Sequence, residues 1–451
     1  MSNWAQDAVF YHLYPLGALG APERNPLQGA PASRLDALHD WLEPLAELGI
    51  TAIYLGPLFE STAHGYDTVD YYHVDRRLGD NASLARLSQA MHARGMRLVL
   101  DAVFNHVGRD FWAFQDVQRH GAASPYASWF HLDFARRSPC GDAFAYEGWN
   151  GHYDLVKLNT NHPEVKQHLF GAVRQWIADY GIDGLRLDAA DVLDKGFQRE
   201  LAAYCRAQRP DFWLLGEVIH GDYTSWAGPE TLDSVTNYEL YKGLYSSHND
   251  RNYFELAHSL NRQFGPGGLY RDLTLYTFAD NHDVDRIASQ LRHAAHLYPL
   301  HALLFTVPGI PSIYYGSEVG LLGKKAHHSD APLRPVFDPR QRHPQASQPD
   351  LAPALATFAR LRRRHAALRH GDYRQLHVAS EQFAFMRTLA EERLVIAVNA
   401  SEAPATITLS LGSQAPAQLV DILNPEARVD VRDGQAKLTL DPNWARILLG
   451  V

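Results

Sequence analysis

Short apolar runs alternate with helix-spaced stretches along the first three-quarters of this chain, and that alternation leaves few folds open. Val9 to Leu13 is such a run; Leu35, Leu38, Leu42, Leu45 and Leu48 then recur at helical spacing and stop at Gly49. Thr51–Leu55 is the next run, Leu84, Leu87 and Met91 mark a helix ending near Gly95, and Leu98–Leu100 follows. Further runs lie at Gly184–Leu187, Trp213–Leu215, Ser234–Thr236, Leu275–Phe278 and Ile313–Tyr315. Eight strands with helices between them predict a closed (β/α)₈ barrel. An open doubly wound sheet would need a glycine-rich phosphate turn after its first strand, and no G-x-G-x-x-G stands there.

The alternation pauses between Val107 and Asn159, a stretch rich in aromatics, Gly, His and Ser with no clear period. A segment that long needs a small fold of its own or a function. Beyond it, Asn161 as cap and Pro163 at the first helical position predict a helix through Trp176. After about Gly371 short runs with turns between them (Phe383–Phe385, Leu394–Val398, Thr406–Leu409, Leu438–Leu440 and Ile447–Leu449) predict an antiparallel β-sandwich. The expected organisation is therefore a barrel over 1–106 and 160–372, an inserted domain over 107–159, and a C-terminal sandwich over 373–451.

Composition narrows the function classes. With 42 Lys and Arg against 51 Asp and Glu the net charge is −9, which argues against nucleic acid or an anionic membrane as partner. No stretch approaches the roughly 20 apolar residues of a membrane span, and the N-terminus lacks the basic and apolar regions of a signal peptide. Two cysteines, Cys140 and Cys205, form neither a disulfide framework nor a metal-ligand spacing. A cytoplasmic protein with no cofactor is expected.

The chemistry of such barrels sits at the C-terminal ends of the strands. Those ends carry Asp101, Asp188, Glu217 and Asp283, with His106 and His282 alongside. One such acid is more simply a cap or an ion-pair partner. Four are hard to explain structurally, because clustered carboxylates repel and raise one another's pKa. Splitting an acetal needs one protonated and one ionised carboxyl, about 5 Å apart where configuration is retained. Arg186, two residues before Asp188 on the same strand, faces the same way and should hold that aspartate ionised. Glu217, expected among apolar residues, is then the acid that keeps its proton.

These residues stand in ordered motifs: Asp101-Ala-Val-Phe-Asn105-His106, Gly184-Leu-Arg186-Leu-Asp188, Gly216-Glu217-Val218 and Phe278-Ala-Asp280-Asn281-His282-Asp283. In them the chain resembles the α-amylase family of glycoside hydrolases from residue 8 to the C-terminus. The resemblance implies Asp188 as nucleophile, Glu217 as acid/base and Asp283 as the supporting carboxylate that favours ring distortion. It also implies that His106 and His282 bond the same sugar and that Tyr66 stacks beneath it. His64-Gly-Tyr66-Asp67-Thr68-Val-Asp70-Tyr71 and Val156-Lys157-Leu158-Asn159 are similar to motifs of the cyclomaltodextrinase, neopullulanase and maltogenic amylase branch. Asp330 and Arg334 resemble a pair that contacts sugar on the non-reducing side.

Departures from the family carry information too. That branch usually has an extra N-terminal β-domain through which it dimerises; this chain starts at the first barrel strand, so dimerisation of that kind is not expected. Typical α-amylases bind calcium through a His four residues after the nucleophile and an Asp before the third long helix. Val192 and Lys157 stand there. An apolar group and an ammonium do not hold a cation, so no metal is expected, and Asn105 is left as a structural hydrogen-bonder. A Lys-His pair that often contacts the leaving sugar is Asp191-Val192 here.

The expected activity is retaining hydrolysis of α-1,4 bonds in maltooligosaccharides or cyclodextrins. Exo-acting α-glucosidase action, for which Asp67 beside Tyr66 speaks, remains open, as does transglycosylation or trehalose-type isomerisation on the same triad. A non-catalytic transporter subunit would show a membrane span and broken carboxylates, and a glucan-binding module would not need three converging acids. The oligomeric state is not legible.

Overall fold

The computed structural model describes residues 4–327, 329–413, 415–424 and 427–451; the tripeptide 1–3, on which part of the leader reading rests, lies outside them. Eight parallel strands form one sheet: β1 (Phe10–Leu13), β2 (Ala52–Leu55), β3 (Arg97–Ala102), β4 (Gly184–Leu187), β5 (Trp213–Gly216), β6 (Ser234–Val235), β7 (Tyr276–Phe278) and β8 (Ile310–Tyr314). Each pairs with its neighbour in sequence, and β1 also pairs with β8, Phe10 lying opposite both Ala52 and Ser312. The last seam closes through a bridge between Thr236 and Tyr276, with the Asn237 N–H donating to the Tyr276 carbonyl over 2.8 Å. The sheet is a barrel, as its eight-fold alternation predicts.

Side-chain parity divides the barrel interior into layers. Phe10, Ala52, Val99, Trp213, Leu215, Tyr276 and Ile310 pack a buried apolar floor. Two residues further along the same strands come His12, Tyr54, Asp101 and Glu217, joined from β4 by Arg186. A polar layer thus sits on a dry base. That is where a site can be held rigidly.

The elements outside the barrel correct some sequence expectations. The Leu35–Leu48 stretch is a 3₁₀ segment, Arg34–Trp41, followed by an α-helix, Leu42–Leu48. Pro44 explains the break, because its ring and missing N–H forbid an α-type bond to residue 40. Asn161 does not cap the next long helix. The cap is His162, whose Nδ1 accepts from the Glu164 N–H at 3.3 Å ahead of Pro163–Tyr180.

The segment between β3 and β4 has its own small fold. His106–Gly108, Gly148–Trp149 and His152–Lys157 form an antiparallel sheet, with the helix Trp112–His120 packed nearby. At the other end of the chain, eight antiparallel strands run from Asp372 to Gly450. Asp372 opens the first of them. One half of this sheet faces the other across Val395, Ala397, Leu409, Leu419, Leu438 and Leu448, which makes the sandwich. Its outer face, with Phe383, Phe385, Ile396 and Ile447, is continuous with the barrel's main core. Two fully buried arginines bridge that junction: Arg362 donates to the carbonyls of Phe305, Gly309 and Leu368, and Arg387 to those of Thr306, Leu368 and Gly371.

Candidate active site

Register builds the site. Arg186 lies opposite Asp101 in the β3–β4 pairing, and its Nη1 donates to both Asp101 oxygens at 2.8 and 3.1 Å. The same nitrogen donates to Asp188 Oδ1 at 2.9 Å. Leu187 is paired with Gly216, so Asp188 and Glu217 are the next residues out on adjacent strands. Arg186 Nη2 lies 2.8 Å from Glu217 Oε2. One buried guanidinium therefore gathers three carboxylates from three strand ends.

Ala189 completes the Glu217 contact. Its φ of 46° is left-handed, a conformation that costs energy for any residue with a Cβ, and it turns the N–H toward Glu217 Oε2 at 3.0 Å. Backbone strain next to Asp188 is thus coupled to the placement of Glu217.

Asp283 arrives on the loop after β7. Asn281 folds that loop, accepting from the Asp283 and Val284 N–H groups at 2.8 and 3.2 Å while donating to the Tyr238 hydroxyl at 3.0 Å. His282 Nε2 lies 2.9 Å from Asp283 Oδ2 and contacts the Tyr66 hydroxyl, whose ring stacks on the imidazole at 5.5 Å. Tyr66 also donates to Asp101 at 3.2 Å. Arg334 Nη2 bridges Asp283 Oδ1 and Asp330 Oδ2, each at 3.0 Å, and Lys325 holds the other Asp330 oxygen at 3.0 Å. His106 Nε2 stands 3.8 Å from Asp188 Oδ2. Asp67, beside Tyr66, accepts from the Gly65 N–H at 3.2 Å and lies 3.7 Å from His64.

The electrostatics differ from the sequence expectation. Arg186 does not single out Asp188, and Glu217 is not among apolar groups alone, because both carboxylates share the same cation. Burial pushes Asp188 well up, opposed by Arg186 and reinforced by Glu217, Asp101 and Asp283. Burial pushes Glu217 up as well, against Arg186. The two titrate as a pair, since whichever ionises first raises the other. Asp283 goes the opposite way: desolvation raises it, but His282, Arg334 and Arg186 outweigh that and hold it well below the usual carboxylate range. Burial pulls His106 down to about 3, so it is neutral.

Sequence reasoning missed several supporting residues. Tyr54 donates to Asp101 at 2.7 Å, and His12 on β1 stacks on Tyr54 at 4.3 Å and meets His282 edge-on at 5.1 Å. The parity of β1 and β2 could have found both. Trp149, with its ring 5.8 Å from that of His106, lies in the aperiodic insert and left no such signal. At the place of the family's calcium ligands, Lys157 lies 3.4 Å from Glu147 and Val192 is 53% exposed. Those groups do not fit a cation. Among the described residues no cluster of three or more His, Cys, Asp or Glu could hold a metal, and no helix is long and apolar enough to cross a membrane.

A closed barrel whose strand ends bring three acids around one arginine is the architecture of a glycoside hydrolase. The chain belongs to the α-amylase family, whose catalytic domain it matches over residues 29–360. It is 33% identical to a cyclomaltodextrinase of Bacillus sp over 428 residues, which is 90% of this chain and 74% of that protein. Against neopullulanase 2 of Thermoactinomyces vulgaris the identity is 32% over 472 residues, 99% of this chain and 78% of the relative. The structure of a cyclic α-maltosyl-(1→6)-maltose hydrolase from Arthrobacter globiformis, complexed with that cyclic sugar, superposes with a TM-score of 0.82 at 28% identity, covering 99% of each chain.

Proposed function

We propose that this enzyme hydrolyses α-1,4-glucosidic bonds of maltooligosaccharides and cyclodextrins with retention of configuration. The observation that carries the reading is the single guanidinium of Arg186 shared by Asp188 and Glu217 at the ends of adjacent strands. Two carboxyls so placed can act on one sugar carbon and its leaving oxygen.

In the productive form the pair holds one proton, on Glu217. Glu217 gives it to the glycosidic oxygen as Asp188 attacks the anomeric carbon, forming a glycosyl ester and releasing the leaving sugar. Water, deprotonated by Glu217, then cleaves that ester and restores both groups. Asp283, held ionised by His282 and Arg334, accepts hydrogen bonds from sugar hydroxyls and stabilises the oxocarbenium-like transition state. His106 and His282 donate to the same sugar, Tyr66 lies beneath it, Asp101 and Arg186 fix the acids, and Asp67 and the Asp330–Arg334 pair contact sugar on the non-reducing side. No calcium takes part in holding the site. Maltose-type sugars are the small-molecule partners, and action in the cytoplasm is part of the reading.

The loop that sets Arg334 against Asp283 and Asp330, and Lys325 against Asp330, favours a second reading, exo-action, in which these charged groups meet the end of a glucan chain. A product time course on maltotriose, β-cyclodextrin, pullulan and trehalose decides between these activities. Release of the α-anomer, followed by proton NMR, tests retention. An initial β-anomer, or no turnover of any α-glucan, refutes the proposal.

A further inference from the structure

We propose that Trp149 is a substrate-binding residue, a platform for a glucose unit adjoining the one held at Asp188. The inference rests on the glucanase reading above and extends it to a side chain outside the recognised motifs.

The indole is placed by a stiff device. Asn150 and Gly151, with φ of 48° and 82°, make the two-residue turn that joins Gly148–Trp149 to the strand His152–Lys157. The strands approach so closely that a Cβ on Gly148 would fall 2.2 Å from the His152 carbonyl oxygen. The second strand then pairs with His106–Gly108, Lys157 lying opposite His106. The hairpin therefore hangs from the very strand that begins with an active-site histidine. Trp149 touches that histidine at 5.8 Å between ring centroids, and the histidine's Nε2 is 3.8 Å from Asp188. The indole is one side chain away from the nucleophile.

Nothing in the packing accounts for a tryptophan there. Trp41, Trp129, Trp176 and Trp213 are buried in the core, whereas Trp149 is only half-buried and joins none of the hydrophobic clusters of the described residues. Its remaining ring neighbour is the exposed His152, stacked at 5.8 Å and 22°. Beside it, His106 Nε2 is buried without a hydrogen-bond partner among the described residues. A half-open aromatic surface beside the nitrogen that meets the sugar at Asp188 fits the apolar C–H face of the next pyranose.

The test compares Trp149→Ala and Trp149→Phe with the unaltered chain on maltotetraose and on α-glucosyl fluoride, which offers one ring only. Trp149→Ala is expected to raise KM for maltotetraose about tenfold with kcat within about twofold, to leave glucosyl fluoride unaffected, and Trp149→Phe to restore most of the loss. An unchanged KM for maltotetraose overturns the proposal. So does an equal loss on both substrates, which would mean that Trp149 merely props His106; Trp149→Phe keeps the test open if the alanine variant folds poorly. Failure of the unaltered enzyme on both substrates would sink the hydrolase reading itself.

Discussion

Arg186 and Asp188 lie two residues apart at the C-terminal end of one barrel strand, and the guanidinium of the first donates to the carboxylate of the second over 2.9 Å. The same cation serves Asp101 and Glu217, so its charge is divided and burial prevails at Asp188. Ionising this aspartate at neutral pH is thus something the fold opposes and the proposed reaction requires.

That opposition gives Asp188→Asn two expected effects. Turnover of maltotriose should fall on the order of 10⁴-fold or more, because the amide cannot form the glycosyl ester. Stability should change in the other direction. A carboxyl whose folded pKa is raised is stabilising while protonated, and that contribution is lost as pH rises through the folded value. Asp188→Asn should therefore melt at or above the wild-type temperature at pH 7, with the difference shrinking toward pH 4. Calorimetry at both pH values checks it; a variant that melts lower at pH 7 contradicts the electrostatic account.

Glu217→Gln separates proton donation from nucleophilic attack. Hydrolysis of maltotriose should drop at least about 10³-fold, whereas glycosylation by α-glucosyl fluoride, whose leaving group needs no proton, should lose far less. With Glu217 present, burial places loss of its proton above the usual carboxylate range, so kcat/KM should decline on the alkaline side of a bell. The glutamine variant should lack that alkaline limb on the fluoride substrate. Equal losses on both substrates would assign Glu217 another role.

How far the sequence carried this reading depends on how strongly each element marks itself. The eight barrel strands are buried on both faces and mostly apolar, being enclosed by helices outside and side chains within, so their runs stand out. Asp188 and Glu217 stand out as candidates because they follow those runs directly, and Asp283 because it lies on the loop just after one. Three sandwich strands, Asp372–Val378, Gln418–Asp421 and Arg428–Arg432, escaped notice because each buries one face at most and is largely polar. The cap at His162 was missed because imidazole is a rare cap beside an asparagine. The sharing of Arg186 could not be read either, since it depends on register between strands distant in sequence.

The residues that replace the family's calcium ligands make a further expectation. Lys157 puts an ammonium beside Glu147, and the Val192 side chain offers no lone pair. A ligand that binds only the folded state raises its melting temperature, and removing it lowers that temperature. A chelator such as EDTA should thus shift the melting temperature by less than about 1 °C and leave activity intact. A drop of several degrees, reversed by calcium, would show that a cation binds after all.

Arg387 tests the junction between barrel and sandwich. It is fully buried and donates to three carbonyls with no carboxylate partner among the described residues, and burial pulls its pKa down to about 9. Replacing it by methionine keeps much of the volume but strands the Thr306 and Gly371 carbonyls, Leu368 keeping its bond from Arg362, at about 1–3 kcal/mol each where no water reaches. Arg387→Met should therefore cost roughly 2 kcal/mol or more in urea unfolding while KM stays near wild type, because the site lies at the opposite end of the barrel strands. A loss under about 1 kcal/mol would show that the two units do not depend on this contact.

Acid should loosen the same region. His248 accepts from the Tyr253 hydroxyl at 2.9 Å and lies 5.4 Å from the ring of His296, whose Nε2 in turn bonds the Ala400 carbonyl of the sandwich at 2.9 Å. Burial pulls His248 down to about 3 and His301 to about 4. A histidine with a depressed folded pKa is neutral in the native state and takes up its proton on unfolding. Its stabilising contribution is thus complete above the unfolded value of about 6.5 and is lost as pH falls toward the folded one. Each such group costs about 1.4 kcal/mol per pH unit across that window. Unfolding free energy should consequently fall steeply between about pH 6 and 4, and His248→Gln, which keeps a polar side chain that does not titrate, should flatten the slope. An unchanged slope in that variant would place the acid sensitivity elsewhere.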